Sequence, residues 1–141
     1  MKTDTIKAKK ILEDEELTLV IIKDTTVYKS VERGVLPLLD FIDKNVELDG
    51  FCVADKVVGA GAAFLYILLG VDEIYAKVIS TRAEELLKSN GISVTFGMLV
   101  NEIRNRAGSD RCPIEAVVEG IFEPDEALLA IRKRLSEMSK P

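Results

Sequence analysis

Asp55 and Lys56 stand side by side just ahead of Gly59 and Gly61, and this stretch holds the residue types best suited to chemistry in the chain. A carboxylate beside an amine can hold a sugar hydroxyl, act as a nucleophile or cap a helix. The glycines let either a ligand or another packed element approach the backbone closely. Both alternatives stay open at this level. The run Gly59-Ala60-Gly61-Ala62-Ala63-Phe64 has part of the spacing of a dinucleotide-binding loop, but Phe64 occupies the third glycine's place. The strand expected next ends Lys77-Val78-Ile79 where such a site needs an acid for the ribose, so the match is incomplete.

Three further helix starts carry polar groups. Ser80-Thr81-Arg82 follows an expected strand. Capping accounts for Ser80 and Thr81, yet the carboxyl end of a parallel strand is also where α/β proteins hold ligands, and Arg82 can reach a phosphate there. In Arg111-Cys112-Pro113, proline at the first helical position makes Cys112 the cap, where the helix dipole and Arg111 favour a thiolate. Without a histidine partner, a structural or ligand-facing Cys112 is preferred to a nucleophile. Glu32-Arg33-Gly34 opens another helix, and a surface salt bridge is the expected role of Arg33. Every helix start offers free N–H groups and a positive dipole end, which suit an anion such as phosphate.

The composition restricts what these groups can do. The chain has no histidine, which removes Ser/His/Asp and Cys/His catalysis and every metal site that needs imidazole. Its two cysteines, Cys52 and Cys112, lie far apart and form no zinc motif, so no metal is expected. A net charge of −5 argues against a nucleic-acid polymer as partner. The start of the chain lacks the apolar core of a signal peptide, and the uncharged run from Val57 to Val71 is too short to span a membrane, so the cytoplasm is the expected compartment. The absence of glutamine and the many Lys, Arg and Glu residues point to a heat-adapted source.

These 141 residues suffice for one domain, 1–141, with a single core. Apolar spacing predicts an amphipathic helix over residues 5–15 and a buried strand over Leu17 to Lys23. A turn at Asp24-Thr25 leads to a hairpin partner over Val27 to Lys29, and a helix runs from Val35 to Val46 with Pro37 in its first turn. Cys52 to Gly70 reads as one central helix, apolar all round and so buried, with Asp55 at its start and Gly70 at its end. Glu73 to Ile79 is a strand, Thr81 to Glu84 fits a capping box, and Ile92 to Phe96 is a second strand that completes a parallel β-α-β unit. A helical pattern then runs to Ile103, breaks over 107–110 and resumes after Pro113. The last helix starts at Pro124, with Leu128, Ile131, Leu135 and Met138 as its buried stripe.

Glu32-Arg33-Gly34-Val35, Ala54-Asp55-Lys56-Val57-Val58-Gly59 with Ala62-Ala63, and Cys112-Pro113 together resemble the uncharacterised bacterial and archaeal domain-of-unknown-function family 1893, placed with the cytidine-deaminase-like fold. The resemblance spans about Leu17 to Leu135. It implies a three-layer α-β-α fold with a mixed sheet of four or five strands and helices on both faces. Deaminases of that fold open their two core helices with zinc ligands and a general acid/base. At the matching places this chain has Ala54-Asp55-Lys56 and Ser80-Thr81-Arg82-Ala83, which supply no zinc site, so hydrolytic deamination by the usual mechanism is not expected. The resemblance also implies that two helix starts face each other, bringing Asp55 and Ser80-Thr81 into one nucleoside-sized pocket.

The leading expectation is a metal-free pocket for a nucleotide-like small molecule, with Asp55 at the sugar and the ligand contacts shared among Lys56, Gly59, Gly61, Ser80, Thr81, Arg82, Arg111 and Cys112. A second reading is a protein-interaction module or homo-oligomer using an apolar patch near Leu99 to Ile103. A third is a metal-independent enzyme acting covalently through Asp55 or Cys112.

Overall fold

The chain begins with α1 (Thr3–Asp14) and a hairpin of β1 (Leu19–Lys23) and β2 (Thr26–Ser30), then α2 (Leu36–Asp43). Two overlapping β-α-β units follow: β3 (Cys52–Val58), α3 (Ala60–Leu69), β4 (Glu73–Ser80), α4 (Thr81–Ser89) and β5 (Ser93–Val100). The chain closes with α5 (Pro113–Val117) and α6 (Pro124–Met138). The structure is a computed structural model and describes all residues except 106, 107, 109, 140 and 141. Part of the break expected over 107–110 therefore lies outside the described residues.

The strands form one mixed sheet in the order β2-β1-β3-β4-β5. β1 is antiparallel to both its neighbours, whereas β3, β4 and β5 run parallel, as β-α-β connections require. On one face Ala8 and Leu12 of α1 pack against Val20, Ile22, Cys52, Ala54 and Tyr75. The other face carries the larger core, in which the apolar α3 is surrounded by α2, α4, α5 and α6. The architecture is therefore α/β, with helices on both faces of a five-stranded sheet.

The expected single helix from Cys52 to Gly70 is instead a strand and a helix joined at Gly59. Val53 faces the α3 side while Cys52 and Ala54 face α1, so β3 is covered on both faces and loses the alternation that marks a half-exposed strand. The three valines in seven residues favour the extended form. β5 likewise runs on to Val100 in register with β4, and the helix expected beyond Gly97 does not form. The α2 helix stops at Asp43, because Asn45 adopts a left-handed conformation and Val46 N–H turns back to the Phe41 carbonyl. In α6, Ile131 is buried and Leu128 and Leu135 pack against the core, but Met138 is exposed.

Gly97 lies close against the neighbouring strand. A Cβ there would lie 2.9 Å from the Lys77 carbonyl oxygen, which belongs to the backbone of β4. Gly97→Ala should cost about 1–3 kcal/mol, read as a lower urea midpoint at an unchanged m-value.

Candidate functional site

Asp55 lies within β3, one residue pair beyond Val53 and on the same side of the sheet. That alternation directs it toward α3, where Tyr66 is fully buried in an otherwise apolar helix. A buried tyrosine hydroxyl needs a partner. The Tyr66 hydroxyl donates a hydrogen bond to Asp55 Oδ2 at 2.5 Å, and Val57 N–H donates to Oδ1 at 3.2 Å. Burial pushes the Asp55 carboxyl up to about 7, against the opposing pull of the Tyr66 and backbone hydrogen bonds. Burial, together with the neighbouring Asp55, also raises the Tyr66 hydroxyl well above its ordinary value and keeps it a donor.

The segment Glu32-Arg33-Gly34 is brought beside Asp55 by Thr18. The Thr18 hydroxyl contacts the Ser30 carbonyl at 3.0 Å and the Glu32 carbonyl at 2.7 Å, while its own carbonyl accepts from Lys56 N–H at 3.0 Å. Gly34, at φ +75°, then turns the chain into α2. The result is a cavity of about 350 Å3 whose polar lining includes Arg33, Lys56, Asp55, Glu32 and Glu16, with Leu19, Pro37 and Leu38 as apolar wall. The salt bridge expected for Arg33 is not formed: among the described residues, the Arg33 and Lys56 side chains make no ion pair or hydrogen bond. A broader groove of about 610 Å3 adjoins the cavity, sharing Leu19, Glu32 and Pro37, and is lined by Tyr28 and Phe41.

The other sequence candidates lie elsewhere. Gly59 is the N-cap of α3, but its free N–H groups are already occupied: Glu115 of α5 accepts from Ala60 N–H at 2.9 Å and from Gly61 N–H at 3.2 Å. A Cβ on Gly59 would sit 1.9 Å from the Glu115 carboxylate, and one on Gly61 would sit 2.6 Å from Ile114. The close approach permitted by these glycines is thus made by a packed element. Ser80, not Thr81, caps α4 by accepting from Ala83 N–H at 3.1 Å, and Thr81 turns its hydroxyl to the Val100 carbonyl. Neither lines the Asp55 cavity, because Asp55 is not at a helix start.

Arg82 donates to the carbonyls of Val118, at 2.8 Å, and Ile121, and lies over the Phe64 ring, so it clamps the chain after α5. Arg111 pairs with Glu119 at 2.7 Å. Cys112 caps the five-residue α5, half-buried, with Pro113 at the first helical position as expected. Among the described residues, no three His, Cys, Asp or Glu side chains gather as a metal site, and no helix is long and apolar enough to cross a membrane.

Tyr66 and Glu115 escaped the sequence reading. Tyr66 had a signal, since it is the one hydroxyl inside an apolar helix and must find a partner. Glu115 had a weaker one, as a lone acid among Ile114, Ala116 and Val117.

The profile of the family described as "Domain of unknown function (DUF1893)" matches residues 7–135. The crystal structure of a DUF1893 family protein (TM1506) from Thermotoga maritima is similar, with a TM-score of 0.84 and 29% sequence identity over 97% of this chain and 92% of that one. No curated protein matches.

Two outcomes follow from the geometry. The folded state holds the Asp55 proton from about pH 4 to about pH 7, where the unfolded chain has released it, so this residue's contribution to stability falls as pH rises through that window. Asp55→Asn should therefore gain stability relative to the wild type as pH is raised to 8, and denaturation midpoints against pH should show the gap closing toward pH 4. Glu115→Ala should destabilise by about 1–3 kcal/mol for each buried N–H left without an acceptor, whereas Glu115→Gln, which retains an oxygen, should lose less by the same measurement.

Proposed function

Because the chain belongs to the DUF1893 family, whose description states no activity, its function has to be argued from the site, and we propose that the Asp55 cavity binds a nucleotide-like small molecule. The observation that carries this reading is the meeting of two side-chain cations, Arg33 and Lys56, that have no ion-pair partner among the described residues, with a carboxyl that titrates near neutrality. Arg33 offers a planar fork and Lys56 a point charge, a pair suited to a phosphate group. Asp55, oriented by Tyr66, is placed to hold a hydroxyl of the attached sugar, as acceptor when ionised and as donor when protonated.

The volume is that of a small-molecule site. The adjoining groove supplies what a base needs, since Tyr28 and Phe41 offer aromatic surface next to the phosphate-binding end. In this reading the phosphate is held by side chains at the β1–β3 boundary, and the start of α3 serves structure, its donors being taken by Glu115.

Thermal unfolding in the presence of nucleoside monophosphates and of inorganic phosphate tests the assignment. A ligand at a hundred times its Kd stabilises by about 2.7 kcal/mol, a shift of several degrees for a chain of this size. Arg33→Ala with Lys56→Ala should abolish the shift for both probes. Tyr28→Ala should reduce it for the nucleotides and leave the phosphate response intact. If no nucleotide moves the wild-type midpoint at millimolar concentration, the reading is abandoned.

A further inference from the structure

Among the described residues no strand pairs with the outer edge of β5, which runs over eight residues, Ser93–Val100. Its sequence, SVTFGMLV, has no charged residue and no proline, although Phe96, Met98 and Leu99 are exposed, Met98 at 59%. Monomeric proteins usually protect such an edge with a charge, a proline or a covering element. Here α1 packs over β1, β3 and β4 on one face and does not extend across β5. The opposite edge is different: β2 has only five residues, and its Lys29 is paired with Glu15 at 2.9 Å.

From this contrast we infer that β5 is a homodimer interface, pairing antiparallel with β5 of a second copy to form one continuous ten-stranded sheet. An open edge offers a row of backbone donors and acceptors that another strand satisfies. A second copy fits because a strand without charges meets itself with no like charges opposed. A two-fold axis perpendicular to the sheet keeps each face on its own side. The pairing is isologous and consumes both open β5 edges in one step, whereas pairing β5 to β2 of another copy would leave an edge free at each end and propagate.

Light scattering and sedimentation of the full chain, from micromolar to millimolar concentration, test this inference. The wild type should have twice the 15.6 kDa chain mass. Met98→Lys, at an exposed position, should return it to the chain mass with thermal unfolding still cooperative. Leu129→Lys, on the exposed face of α6, should remain dimeric. Hydrogen exchange should find β5 amides protected in the wild type and released in Met98→Lys. A wild type that stays monomeric throughout overturns the inference. So does a Met98→Lys variant that remains dimeric, or a β5 whose amide exchange is the same in both proteins.

Discussion

The arrangement depends on a helix with almost no polar surface that still has polar groups to satisfy. Apart from the partly exposed Ile67 and Leu68, α3 is buried, and a buried helix cannot leave its terminal N–H groups or a hydroxyl to solvent. Each demand is met by a group remote in sequence. Glu115 closes the N-terminus, Asp55 takes the Tyr66 hydroxyl, and at the C-terminus Gly70 adopts a left-handed cap while Leu48 N–H donates to the Leu69 carbonyl. These contacts tie β3, α5 and the segment before β3 to a common centre. The apolar body supplies the driving force for burial, and the polar contacts determine which elements come together.

The same demand creates the unusual carboxyl. An aspartate in a strand that faces the core runs against local preference, and its pKa is raised because the surroundings disfavour its charge. Tyr66 partly offsets this by donating to it. Such a group is costly as pure structure. Its neighbours have the opposite character: Arg33 and Lys56 present positive charge to the same cavity, and Thr18 braces both of the segments that carry them.

Much of the fold was legible because helices and half-exposed strands repeat with different periods. The hairpin of β1 and β2, the β4-α4-β5 unit and α6 with its opening proline all follow from apolar spacing and cap residues. Where both faces of a strand are covered the period vanishes, and β3 merged with α3 into one apolar run despite its valines. β5 was read too short for a different reason: as an edge strand with apolar residues on both sides, it lacks the polar alternation of an ordinary edge. The site was legible by residue type and not by location. Asp55 and Lys56 stood out as an acid and a base beside glycines, but the glycines belong to packing against α5 and the acid belongs to a strand.

The sequence by itself determined the chemistry that could be present: no imidazole, two distant cysteines, a carboxylate and a lysine just ahead of two glycines, and an Arg-Gly turn ahead of a helix. Those are properties of residue types and short spacings, which are local. Only the tertiary structure decided which groups meet. Asp55 and Tyr66 are 11 residues apart, Thr18 and Glu32 are 14 apart, and Glu115 reaches a helix start 55 residues earlier. Such pairings are selected by the need to satisfy buried polar groups once the sheet order and the burial of α3 are set. That choice is made by the whole core at once and leaves no periodic trace in the chain.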